Sequence, residues 1–304
     1  MEKKLLVEDH IRRNKRLTIV VCGLMALLFV GVVFSLGFIF FGGNHLISLV
    51  FALPIAIGYV AITYSVSVQT VLSAAKARPA NPMVREEKLL INKVEDMAIA
   101  AGIPMPKVYV QKSDSINAFA TGKKPEDGVI CVTTGALQKL NSEELEGVIA
   151  HEMSHIKNHD ILLATVAIAV VGAIALISEI VFWSLLWGGA GRGGGRKGEG
   201  NYIAIILAIV FIILAPIFSR LTYLAISRKR EYLADSNGAY LTRNPEGLAK
   251  ALEKIKNDHP KGKPKGSKTV APLYIANPFK RSLRDSIWST HPPIDERIRR
   301  LRSM

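Results

Sequence analysis

Cysteine is scarce in this chain of 304 residues: there are two, Cys22 in an apolar run and Cys131 in a polar stretch. Two cysteines so far apart exclude a disulfide framework and a thiolate metal site, and leave packing as their role. Acidic residues are also few, 25 against 39 Lys and Arg, for a net charge of +14. Such a surplus suits a nucleic-acid ligand where the cations gather on one surface. Here they lie in segments flanking apolar runs, where the orientation rule for membrane proteins and anionic head groups account for them. No nucleic-acid partner is expected. An even spread of apolar residues is missing too, as is any internal repeat.

What is present is a segregated chain with a mean hydropathy of +0.26. Leu17 to Phe41 and Leu46 to about Thr70 are uncharged, joined at Gly42 to His45. Roughly 20 apolar residues suffice to span the hydrocarbon core, so the pair reads as a transmembrane hairpin, with Pro54 tolerated as a kink. The first run is too long for a signal-peptide core and is expected to stay as an anchor. Ile161 to Trp187, interrupted by Glu179, and Asn201 to Ser227, carrying Arg220, form a second apolar pair around a Gly-rich loop, Gly188 to Gly200. Glu179 and Arg220 read as solvated near an interface, the alternative being a buried ion pair or a proton path.

The expected fold is mainly α with a small β-sheet: about four transmembrane helices plus a soluble domain facing the cytoplasm. The expected divisions are 1–75 for the basic N-terminus and first hairpin, 76–160 for a soluble part, 161–227 for the second hairpin and 228–304 for a basic C-terminal part. Four spans place both soluble parts on one side of a plasma membrane, and their Lys and Arg make it the cytoplasmic side. Arg192, Arg196 and Lys197 then fall outside, unless the second pair only dips into the bilayer. Within 76–160 the pattern predicts a helix around Glu86 to Ala101 and short strands at Lys107 to Gln111 and Val129 to Thr133. Asn141 followed by Glu144 forms a capping box that opens a helix running through Lys157.

That last helix carries His151-Glu152-Met153-Ser154-His155. Four residues complete slightly more than one helical turn, so both imidazoles face one point and can hold a single ion. Two neutral imidazoles plus a carboxylate suit one Zn²⁺ per chain with a fourth position open to water, whose proton Glu152 is placed to take. Glu231, which leaves the fourth run much as the histidine helix enters the third, is the best candidate for the third ligand; otherwise it is a solvated charge in a basic run. Asp235, one turn further, is placed to fix a ligand imidazole in its metal-binding tautomer.

In these residues the chain resembles the HtpX-like family of membrane zinc metalloproteases. The resemblance rests on the N-terminal hairpin, Asn117-Ala118-Phe119-Ala120, the histidine helix continued by Lys157-Asn158-His159-Asp160, Arg230-Glu231-Tyr232-Leu233-Ala234-Asp235 and His291-Pro292-Pro293. It implies that Glu231 completes the zinc site, that Glu152 is the general base and that Asn117, Ala118, Phe119 and Ala120 line a substrate cleft. It also implies protein substrates, above all damaged or misassembled membrane proteins, and a part in stress response and quality control.

If Asn117 to Ala120 is an edge strand, it can pair with an extended substrate; otherwise it is an ordinary internal strand or turn. His291 either donates a hydrogen bond to a developing oxyanion or, with Pro292 and Pro293, simply starts a last helix from Ile294 to Leu301. The rival function is a membrane binding or transport protein with a structural zinc. The Lys/Gly/Pro segment from His259 to Lys268 and the Gly-rich loop suggest no role.

Overall fold

Asn44 opens the first helix by accepting the Ile47 amide proton at 3.1 Å, and Lys76 closes it in a left-handed conformation, φ 54°, donating its own N–H to the carbonyls of Leu72 and Ser73. This helix, α1, runs His45–Ala75 with Pro54 inside it. It extends past the expected end at Thr70 because Val71, Leu72 and Ala75 are buried against the rest of the protein. Among the described residues it is the helix long and apolar enough to cross a membrane. Its upper part leaves Leu46, Val50, Ile57 and Ile62 exposed. The computed structural model describes residues 44–166, 228–258, 268–276 and 291–304, with isolated positions between 12 and 34 and at 168. The first and fourth apolar runs, most of the third, the Gly-rich loop and 259–267 lie outside them.

A four-stranded mixed sheet follows, in the order β1-β2-β4-β3. Its strands are β1 Ala77–Pro79, β2 Lys107–Gln111, β3 Ala118–Thr121 and β4 Val129–Thr133. β2 and β4 are parallel, while β1 and β3 run antiparallel to their neighbours at the two edges. Pro79, which lacks a ladder donor, sits on an edge strand as its chemistry requires. β1 was not legible in the sequence, since three residues carry no alternation.

Successive side chains of a strand face opposite ways, so the sheet serves two cores. Val110, Ala118, Ala120, Ile130 and Val132 join the main cluster with Val148, Ile149 and Met153. Phe119 and Cys131 join Val71, Ala75, Val270 and Tyr274 on the other side.

Further helices among the described residues are α2 Arg85–Ala101, α3 Thr134–Lys139, α4 Ser142–Lys157, α5 Arg228–Thr242, α6 Pro245–Lys256 and α7 Ile294–Arg302. α4 is central: α2, α5, α6 and β3 all pack on it. Its Asn141 capping box is formed as the sequence indicated, with Asn141 and Glu144 each bonding the other's backbone N–H. Two glycines permit the close packing. A Cβ on Gly147 would lie 2.7 Å from the Leu248 nitrogen, and one on Gly238 3.0 Å from the His151 nitrogen. α5 therefore approaches α4 beside the histidine pair.

Candidate metal centre

His151 and His155 project from one face of α4 with rings nearly perpendicular and centroids 4.8 Å apart. Their Nε2 atoms are 3.3 Å apart. α5 brings Glu231 to the same point, Oε1 lying 3.5 Å from His155 Nε2 and Oε2 3.9 Å from His151 Nε2. Metal–nitrogen bonds of about 2.0–2.1 Å in a tetrahedron separate neighbouring ligand atoms by roughly 3.3 Å. The observed spacings fit one small divalent cation shared by the three side chains, which form the metal-capable cluster among the described residues.

The opposite nitrogens of both rings are held by carboxylates. His151 Nδ1 lies 3.0 Å from Asp235 Oδ1, and His155 Nδ1 lies 3.2 Å from Asp160 Oδ2. With each Nδ1–H donated to a carboxylate, each Nε2 lone pair points toward the shared centre. Asp160 reaches His155 because α4 stops at Lys157 and His159 adopts a positive φ of 57°, turning the chain back. Asp235 is held in turn by Arg297 of α7, whose Nε and Nη2 donate to its two oxygens at 2.8 and 2.7 Å. Arg297 Nη1 is also 3.6 Å from Glu231 Oε2.

Glu152 faces the cleft beside this centre, together with Ala120, His155, Asp160, Arg230, Glu231 and His291. The cleft offers about 410 Å³ of open space. His291 Nδ1 approaches Glu231 Oε2 at 2.9 Å. Its Nε2 is buried without a hydrogen-bond partner among the described residues. His291 also precedes α7, for which Pro293 is the N-cap.

Of the four residues expected to line a substrate cleft, Asn117, Ala118, Phe119 and Ala120, the structure places Ala120 on the cleft beside this centre. Asn117 donates through Nδ2 to the Ala276 carbonyl at 2.7 Å, and Ala118 accepts from the Ile275 N–H at 3.0 Å. Phe119 is buried on the other face of the sheet, edge-on to Tyr274 at 5.3 Å. Alternation along the strand is the reason, because neighbouring side chains cannot share a face.

Residues 85–304 match peptidase family M48. A protein named as a protease HtpX homolog from Thermoanaerobacter pseudethanolicus is 47% identical over 244 residues, 80% of each chain. Another of that name from Streptococcus agalactiae serotype III is 42% identical over 300 residues, covering 98% of this chain and 100% of that protein. The chain belongs to peptidase family M48.

This M48 peptidase is thus a membrane-associated metalloprotease, and proteins are its substrates. The solved structure of Ste24p from S. mikatae is also similar, at 20% identity and a TM-score of 0.48, over 98% of this chain and 66% of that one; at that score the likeness carries nothing about the site.

The electrostatics of the M48 centre follow from burial. Burial, with the charge of Glu231 nearby, pushes the Glu152 carboxyl up to about 7, against the opposing pull of His155, Arg297 and the Ala120 N–H. Burial likewise pulls the His151 imidazole down. For His155 burial is outweighed by the Asp160 contact and the charges of Glu231 and Glu152, which push it up to about 9. Burial also opposes the charge on Asp235, yet Arg297 and His151 hold its carboxyl at about 2. Glu231 stays well below the usual carboxylate range despite burial because His291, His155 and Arg297 surround it. Four buried carboxyl groups, Glu152, Asp160, Glu231 and Asp235, face two buried guanidiniums, Arg230 and Arg297.

Proposed function

We propose that the chain is a multi-pass zinc endopeptidase of the plasma membrane, with its site facing the cytoplasm, that cleaves damaged or misfolded membrane proteins by direct attack of water. The spacing of His151 Nε2, His155 Nε2 and the Glu231 carboxylate, 3.3 to 3.9 Å, carries this reading. The proposed divisions are 1–75 and 161–227 as membrane hairpins in contact with lipid, and 76–160 and 228–304 as the two parts that close on the site. The exposed apolar face of α1 supports contact with lipid.

His151, His155 and Glu231 would hold one zinc ion, which when bound supplies a Lewis acid for the scissile carbonyl and acidifies a water to a pKa near about 7. Glu152, a buried carboxyl on the cleft beside that centre, is placed to accept a proton and to return it to the leaving amine. Ala120 lies on the cleft beside Glu152. Asp235 and Asp160 fix the tautomer and ring orientation of the two imidazoles. His291, its Nδ1 engaged by Glu231, donates through Nε2–H, when doubly protonated, to charge developing on the carbonyl oxygen. No acyl-enzyme is involved.

A structural zinc in a binding or transport protein calls for a closed, four-ligand shell. Three side chains at the edge of a cleft favour the hydrolytic reading instead. The test pairs metal analysis with cleavage of an unfolded membrane protein. Glu152→Gln is expected to retain zinc and lose cleavage by at least about 10²-fold. Full activity in that variant sinks the mechanism.

A further inference from the structure

The ladder of β3 leaves two residues with outward backbone groups. The Thr133 N–H donates to the Asn117 carbonyl at 3.0 Å, so in this antiparallel pair Asn117, Phe119 and Thr121 turn their backbone groups toward β4. Ala118 and Ala120 face away. Ala118 is already engaged: its carbonyl accepts from the Ile275 N–H at 3.0 Å, and its N–H donates to the Asn117 side chain at 3.1 Å. The segment Tyr274 to Ala276 therefore covers half of the exposed edge.

That covering is firmly tied down. Asn117 bonds Ala276 through both its amide atoms, at 2.7 and 3.4 Å, and the Tyr274 hydroxyl donates to Gln111 Oε1 at 2.9 Å in a buried position. Just before this segment, Pro272 and Leu273 reach the cleft. With Ile161 and Ala164 they make its apolar lining, next to Glu152 and His155. One edge residue, Ala120, remains beside the same cleft, next to Glu152. Main-chain pairing over a single residue gives little grip on an extended chain, so a side-chain pocket at that position must supply the selectivity.

We propose that a substrate enters as an extended segment paired only with Ala120, where the Tyr274–Ala276 covering ends, and places one apolar side chain against Ile161, Ala164, Pro272 and Leu273 beside the scissile bond. Leu273 is then a specificity-determining residue. Ile161, Ala164, Pro272 and Leu273 present an apolar wall, and burying a charge against it without a partner is costly. This inference rests on the peptidase reading and adds a preference at one substrate position.

The experiment uses the zinc-loaded full chain in detergent with a mixture of synthetic decapeptides randomised at every position, and cleaved bonds are read by mass spectrometry. Wild type is expected to favour Leu, Ile, Val, Met or Phe at one position flanking the cleaved bond. Leu273→Glu is expected to reduce that preference by roughly tenfold and to raise cleavage next to Lys and Arg, while Leu273→Ala shifts it toward bulkier side chains. Zinc content and melting temperature accompany each variant, and Leu273→Ala decides the matter if the glutamate variant does not fold. Cleavage by wild type without an apolar preference, or an unchanged preference in folded variants, overturns the inference. Absence of cleavage by wild type, or undiminished cleavage by Glu152→Gln, counts against the peptidase reading as well.

Discussion

Arg297 has no exposed surface, yet it lies in a stretch that also contains Arg299, Arg300 and Arg302. What separates it from them is its place on α7. Ile294, Ile298 and Leu301 form the apolar stripe of that helix, and Arg297 falls inside the stripe at the spacing of a buried position. Its fork on Asp235 keeps that carboxylate charged against His151. Arg297→Ala leaves Asp235 and Glu231 buried with less compensation and is expected to cost about 3–5 kcal/mol. Arg297→Lys keeps the charge but loses the two parallel bonds; it is expected to melt closer to wild type while losing zinc to a chelator about 10–100-fold more readily. Thermal unfolding and chelator competition separate the two effects, and wild-type zinc retention in Arg297→Lys would show that the fork does not position His151. The ligand pair and Glu231 were legible because helical spacing and an ordered motif mark them. Arg297 could be found only by setting its position against the stripe, and the grip of Asp160 on His155 depends on a left-handed His159 that no local pattern announced.

At the scale of elements, α2, β2, β4 and α4 were legible because each carries its own period or cap, and α4 starts at the Asn141 box. β1 exists through tertiary contacts instead. Arg78 in β1 pairs bidentately with Glu87 of α2 at 2.9 and 2.6 Å, and Glu87 also accepts the Asn81 N–H at 2.7 Å. One buried carboxylate thereby ties the edge strand and the loop after it to a helix. The bond to Arg78, together with Asn81 and against the effect of burial, holds the Glu87 carboxyl below its ordinary range. A group whose pKa is lower in the folded than in the unfolded chain stabilises above its unfolded value, about 4.3, and that stabilisation fades as pH falls through the folded value. Glu87→Gln is therefore expected to lower stability by about 1–2 kcal/mol near neutral pH, with the gap from wild type closing at acid pH. Melting curves from about pH 7 down to about pH 3, through the folded value, check this; a gap that widens toward acid would reverse the assignment.

Across the whole molecule, the apolar runs were separable from the rest by composition alone, but the second run was read as ending at about Thr70, before the helix does. Hydropathy fades at Ser73, Ala74 and Ala75, whereas the helix persists to Ala75, Lys76 caps it and β1 begins at once. Val71 and Ala75 are fully buried in the cluster that contains Phe119, Cys131, Val270 and Tyr274. The last turn of α1 thus belongs to the same body as the sheet, and its apolar upper part extends from that body without a linker. This cluster backs β3 and the Tyr274 segment from the side away from the metal centre, so its loss should reach the cleft through Phe119 and Tyr274. Chains beginning at residue 71 and at residue 77 make the comparison. The shorter lacks Val71, Leu72 and Ala75 and is expected to be less stable by about 3–5 kcal/mol. It should also lose its apolar cleavage preference before it loses zinc, because the pocket wall hangs on the Tyr274 segment while the ligands stand on α4 and α5. Equal melting temperatures in the same detergent would mean that the last turn of α1 is only a tether.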